Sequence, residues 1–255
     1  MDRSEWLKKM RMMAEEVYDH FGSAYWVKYG EDITPIHHKF MEKFLGRLKS
    51  PGTVLDAACG AGLYDGMLVK AGHLVLGIDQ SAGMLTRARA HYPKDQYPDL
   101  HYLKMGLQNM DFQAIFDGVI CMDAMEHICP EDWPGILAGF HNALKPQGLL
   151  YITVDAMMAD EYRESYERAR AMGLPVVYGE QVDDLEAAYN IAMNQDPLDP
   201  NSLSGERLDH TVYHFHPTMD QVHTWYTQAG FVIEEETKAD EYLEEYMHVL
   251  ARKNA

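Results

Sequence analysis

The sequence predicts an α/β fold in which a largely parallel sheet is wound with helices on both faces. Three observations carry that expectation. Between 53 and 155, five short apolar β-like runs alternate with helical patterns. The first run ends in an acid and a glycine-containing bend, Asp56-Ala-Ala-Cys-Gly-Ala-Gly62. The second ends in another acid, Asp79, with Ser81 placed to cap the helix that follows. A chain of 255 residues, 47% of them hydrophobic, is long enough to bury a sizeable core and reads as one globular domain.

Taken in order, residues 4–20 form an amphipathic pattern with Trp6, Met10, Met13 and Val17 on one face. An aromatic, glycine-containing segment, 21–35, comes next. Tyr18, Tyr25, Trp26 and Tyr29 are candidates there for pocket walls, or for packing the first helix on the sheet. A second helix runs from His37 to Leu48 and stops at Ser50-Pro51-Gly52, with His37 and His38 expected on its surface. After the bend, Leu63, Met67 and Leu68 open a helix that Gly72 ends. His73–Asp79 is the second strand, 81–91 a helix, Leu100–Met105 the third strand and Phe116–Met122 the fourth. Trp133–Leu144 is a helix and Leu149–Val154 the fifth strand.

Residues 157–216 depart from this rhythm. They hold two amphipathic stretches (160–172 and 181–194), a polar loop at 196–205, and an alternation that puts His210, Val212, His214 and His216 on one strand face. Thr218–Ala229 is a helix, and 231–233 and 246–250 are strands around an acidic connection. The chain therefore divides into an N-terminal helical segment (1–50), a ligand-binding core (51–156), a helical insertion after strand five that caps the site (157–216), and a C-terminal helix with the last two strands (217–255).

A formal charge of −18 repels phosphate backbones, so nucleic acid is excluded as a partner and a small molecule is expected. Cys59, Cys121 and Cys129 form no paired framework, as in a reducing compartment. The N-terminal MDRSEWLKKMRMMAEE is too charged for a signal peptide, and no apolar run reaches membrane-spanning length. A cytoplasmic protein without a membrane partner is the expectation.

The bend limits the ligand. Small residues let backbone N–H groups and a helix start approach it closely. A dinucleotide fingerprint needs G-x-G-x-x-G, and here Gly60 and Gly62 are followed by Asp65 at the third position. Asp56 would also repel a diphosphate and suits a cationic group, such as an amino acid's ammonium. Asp79, at the end of the next strand, suits the two hydroxyls of a ribose.

VLDAACGAG (54–62), GIDQSAGML (77–85) and LKPQGLLYITV (144–154) resemble the motifs of class I S-adenosylmethionine-dependent methyltransferases. The resemblance implies a Rossmann-like sheet of seven strands, mostly parallel, with the last strand antiparallel. It implies S-adenosylmethionine as cofactor and in-line methyl transfer to O, N or C of a small acceptor. Asp56 would face the methionyl amino group, and Gly60 and Gly62 would let the loop pass under the cofactor. Ala58 replaces the first glycine of the motif, which is tolerated if its φ is negative. Asp79 would hold the ribose, with Gln80 and Met84 near the adenosine. Gly106 stands where the family often has Asp, which leaves the adenine to Leu107 or Gln108. Met122, Asp123 and, from the N-terminal segment, Tyr25 complete the cofactor set.

For chemistry on the acceptor the candidates are His127, His210 and His214. Asp123, Glu126 and His127 have i, i+3, i+4 spacing and could share a helix face. CMDAMEHI (121–128) also resembles ubiquinone-pathway and small-RNA-end methyltransferases, in which Glu-x-x-Glu-His binds a divalent metal; those three residues are therefore secondary metal candidates, though a metal is not favoured. Three other readings stay open: adenosyl chemistry other than methyl transfer, a nicotinamide-dependent oxidoreductase, and a non-catalytic binding protein.

Overall fold

The computed structural model describes residues 2–29, 33–157, 163–181, 213–237 and 246–254, with the backbone alone at 20–29 and 165. Seven strands form one sheet: β1 (Thr53–Ala57), β2 (Leu74–Asp79), β3 (Leu100–Lys104), β4 (Phe116–Cys121), β5 (Leu144–Val154), β6 (Phe231–Glu236) and β7 (Met247–Lys253). Their spatial order is β3-β2-β1-β4-β5-β7-β6. The pairs among β1 to β5 are parallel, and β7 runs antiparallel between β5 and β6. This is the Rossmann-like sheet with an inserted antiparallel last strand.

Alternation along the strands splits the core in two. Leu55, Ala57, Val119, Cys121, Leu150 and Ile152 face α1 (Arg3–Tyr29), α5 (Trp133–Ala143) and α7 (Met219–Gln228) through Trp6, Met10, Trp133, Phe140 and Tyr226. Val54, Val75, Ile120 and Tyr151 face α2 (Pro35–Arg47) and α3 (Asp65–Lys70) through Phe40, Met41, Phe44 and Leu68. A sheet covered on both faces needs apolar residues at successive positions, which is why β1 and β4 read as continuous apolar runs. The helix α4 (Ala82–His91) follows β2.

Several local expectations change. The first helix does not stop at 20: α1 continues to Tyr29, because Gly22 costs only about 1 kcal/mol in a helix and no proline interrupts the run. The strand expected over 210–216 reduces, among described residues, to an isolated bridge between Glu180 and Phe215. Of the two amphipathic stretches in 157–216, the first contains α6 (Arg163–Ala171). The second, like the loop 196–205 and His210, lies outside the described residues.

Candidate active site

The sheet order reverses between β1 and β4, and ligands of open α/β sheets bind outside the carboxyl ends of strands at such a switch point. A cleft of about 980 Å³, open mouth included, lies there. Its walls come from the β1 bend, the ends of β2 and β4, the turn after β3, and α1 through Arg11, Ala14 and Tyr18. Of the residues expected to hold the cofactor, Asp56, Ala58, Gly60, Asp79, Gln80, Met84, Leu107, Gln108, Met122 and Asp123 all line it. The side chain of Tyr25 lies outside the described residues.

Gly62 is not among the lining residues. With φ +85° it sits behind the bend, where an added Cβ would come within 2.8 Å of Asp65 and 2.9 Å of the Tyr102 hydroxyl. Its smallness lets those two side chains meet beneath the loop. Ala58 has φ +60°, not the negative value under which an alanine would be at ease. The bend thus holds an L-residue in the left-handed region, a cost of roughly 1–2 kcal/mol.

The acids at the β1–β2 edge are fixed differently. Asp79 accepts hydrogen bonds from the backbone N–H of Ser81 (2.8 Å) and of Gly60 (2.9 Å), so it ties the bend to the start of α4 while facing the cleft. Burial raises its pKa to about 6 against the pull of those two amides. Asp56 and Asp65 are both buried neighbours, and Tyr102 donates to Asp65 (2.6 Å). Burial and the nearby Asp65 charge push Asp56 well above the ordinary carboxylate range.

Across the cleft, Asp123 follows β4 with φ +49°. Its Oδ1 accepts from Thr153 (3.0 Å) and from Nε2–H of His37 (3.1 Å), and its Oδ2 accepts from Tyr64 (2.8 Å). Burial opposes its ionisation, but the bonds from His37, Tyr64 and Thr153 outweigh that and hold it below the usual value. His37 is therefore not a surface residue. It is buried, it packs against Tyr64 and His248, and it was missed because its partner lies in a different part of the chain.

Asp123, Glu126 and His127 do not share a helix face. Only a short 3-10 turn, Met125–His127, follows Asp123. Glu126 is buried and accepts from Tyr246 through Oε1 (2.8 Å); burial and the nearby Asp155 and Asp123 raise its pKa to about 7. His127 lies between the Tyr213 carbonyl at Nδ1 (3.2 Å) and the Tyr18 hydroxyl at Nε2 (2.7 Å). A carbonyl can only accept, so Nδ1 carries the hydrogen and Nε2 accepts from Tyr18. Burial and the adjacent His214 lower the His127 pKa to about 3, which keeps the ring neutral. Among the described residues no group of three His, Cys, Asp or Glu is placed to hold a metal ion. His214 is not in the cleft wall; its ring centroid is 4.7 Å from that of His127.

The helix α1 is tied down along its length. Arg3 binds Glu131 (2.9 Å) and Glu180 (2.8 Å), Arg11 binds Asp132 (2.6 Å), and Asp19 accepts from Ser81 (2.8 Å) and from the Gly83 amide (3.0 Å) at the start of α4. A Cβ on Gly83 would sit 2.1 Å from the Asp19 carbonyl oxygen, so only glycine allows this approach.

This sheet and cleft define the class I, Rossmann-like architecture, and residues 54–148 match the model of the methyltransferase domain family. The glycine/sarcosine N-methyltransferase of Halorhodospira halochloris is 31% identical over 164 residues, 59% of this chain and 59% of that protein. A ubiquinone biosynthesis O-methyltransferase of Acinetobacter baylyi is 25% identical over 143 residues, 53% of this chain and 59% of the relative. The chain thus spans under two thirds of these relatives' length. The solved 1,6-didemethyltoxoflavin-N1-methyltransferase of Burkholderia thailandensis, with S-adenosylhomocysteine bound, shares the fold with a TM-score of 0.61 at 16% identity, covering 96% of this chain and 91% of that one.

Proposed function

We propose that the protein transfers a methyl group from S-adenosylmethionine to a small-molecule acceptor. The observation that carries the reading is the charge of the cleft: Asp56, Asp79 and Asp123 all line it. Arg11 is the one Lys or Arg among the described lining residues, and it is already bound to Asp132. Such a wall disfavours a diphosphate and favours a sulfonium amino acid, which counts against the nicotinamide reading.

The donor brings an already activated methyl on a positive sulfur, so the chain's work is mainly to align the reactants. Asp79 holds the ribose hydroxyls with the lone pairs not used by Gly60 and Ser81. Gln80 and Gln108 flank Gly106, where a Cβ would stand 3.7 and 3.4 Å from their amide oxygens, and they take the adenine in place of an acid. Met84 packs on the adenosine, with Gly60 and Leu107 beside it. The Asp56–Asp65 pair sits under the amino group, and Met122 and Asp123 adjoin the reacting end. His127 forms the acceptor-side wall, with His214 packed behind it and Tyr18 bonded to it. We assign the protein to the cytoplasm on its free, buried cysteines; among the described residues no helix is long and apolar enough to cross a membrane.

The test is calorimetry with S-adenosylhomocysteine and with NAD. The proposal expects binding of the first alone; NAD binding, or binding of neither, would overturn it. Methyl-transfer assays against phenols, amines and carboxylates, read by product mass, then identify the methylated atom.

A further inference from the structure

The first turn of α4 is held by a residue that stands outside the cleft. Ser81 is fully buried, and its backbone N–H is one of the two amides that aim Asp79 (2.8 Å). Its hydroxyl accepts from the Met84 amide (3.0 Å) and donates to Asp19 Oδ1 (2.8 Å), its one acceptor among the described residues. The same Asp19 oxygen accepts from the Gly83 amide (3.0 Å). A helix start gathers unpaired amides with partial positive charge, and a carboxylate answers both needs. Burial opposes the ionisation of Asp19, but the bonds from Gly83 and Ser81 outweigh it and hold its pKa below the usual value. Asp79, Gln80 and Met84 line the cleft, whereas Asp19, Ser81 and Gly83 are not among its lining residues. Removal of the Asp19 carboxylate would leave a buried hydroxyl without an acceptor, a costly state that a shift of Ser81 relieves. The same shift loosens the Ser81 amide bond to Asp79.

We propose that Asp19 is a positioning residue for S-adenosylmethionine: through Ser81 it sets the direction in which Asp79 presents its carboxylate to the ribose hydroxyls. The inference rests on the methyl-transfer reading above and on Asp79 as the ribose ligand. Asp19 touches no part of the cofactor in this arrangement. It acts along one line of bonds, from its own Oδ1 to the Ser81 hydroxyl and from the Ser81 amide to Asp79 Oδ1. Its effect therefore falls on how firmly the cofactor is held more than on the transfer step.

The experiment is calorimetry of S-adenosylhomocysteine with the full chain, its Asp19→Ala, Asp19→Asn and Asp79→Ala variants, and the double variant Asp19→Ala/Asp79→Ala. Asp19→Ala should weaken binding about fivefold, the fold-change of one lost hydrogen bond. Asp19→Asn keeps the oxygen that Ser81 and Gly83 use, so its affinity should stay within about twofold of the wild type. In the Asp79→Ala background, Asp19→Ala should add less than about twofold, because its route to the ligand is gone. In methyl-transfer assays Asp19→Ala should raise KM for S-adenosylmethionine by more than it lowers kcat. Ser81→Ala removes the hydroxyl through which Asp19 acts and should weaken binding at least as much, which keeps the test open if Asp19→Ala does not fold. Full affinity in Asp19→Ala or Ser81→Ala, a fivefold loss that persists without Asp79, or a fall in kcat larger than the rise in KM would each overturn the inference while leaving methyl transfer intact. Unaltered affinity in Asp79→Ala would overturn it together with the ribose assignment. Failure of the wild-type chain to bind S-adenosylhomocysteine would overturn both readings together.

Discussion

At the β1–β2 edge, Asp79 takes its hydrogen bonds from main-chain amides 2 and 19 residues away. At the β4–β5 edge, Asp123 takes its bonds from the side chains of Thr153, Tyr64 and His37, which are 30, 59 and 86 residues away. The first edge is a backbone device that any sequence with the right bend reproduces. The second exists only once α2, the bend and β5 have packed. The pKa directions follow from this. Amide bonds leave Asp79 raised by burial, whereas three side-chain donors overcome the burial of Asp123. Damage to the second edge should therefore spread, and damage to the first should stay local.

The largest effect is expected from His37→Ala. It removes one of three donors to a half-buried carboxylate and should cost about 2 kcal/mol in a denaturant titration, with turnover falling more than S-adenosylhomocysteine affinity. A loss below about 0.5 kcal/mol would place His37 back among ordinary surface residues. Asp79→Ala should weaken S-adenosylhomocysteine at least about tenfold by calorimetry, since it removes charge-assisted bonds to two hydroxyls; unchanged affinity would break the ribose assignment.

A smaller effect concerns pH. The Asp79 pKa is raised from 3.8 to about 6, so the folded, ligand-free protein binds more protons than the unfolded chain across that window. This contribution to stability is full below about 4 and is lost as pH rises through 6. Hydroxyl donors and positive groups favour the ionised acid, so S-adenosylmethionine affinity should climb between about pH 5 and 7 and then level off, with protons released on binding. A flat profile would show that the acids stay ionised without ligand. Smallest of all, Ala58→Gly should raise stability by up to about 1 kcal/mol, because it relieves the positive φ.

The same contrast explains what could be read in advance. The strand alternation, the glycine bend and the acids ending β1 and β2 are local patterns, and the residues around them converge on one cleft. His37 looked like any helix histidine, since nothing near it in the chain signals an aspartate beyond β4. Tyr246 gave no hint that it reaches Glu126, 120 residues earlier. Asp123, Glu126 and His127 misled because their spacing fits a helix, while the positive φ of Asp123 turns the chain before one can form. Ala58 likewise carries no mark of the left-handed backbone that its neighbours impose.

The close approach of Asp19 to Gly83 has a bearing on traffic through the molecule. One rod, α1, forms a wall of the cleft, is fastened to α4 at its middle, and grips Glu180 of the insertion near its start. Any tilt of that rod strains its bonds to α4 and to Glu180 together. Because one helix carries all three contacts, a substitution that loosens the Asp19–Gly83 anchor should be felt at the cleft wall and at Glu180 alike.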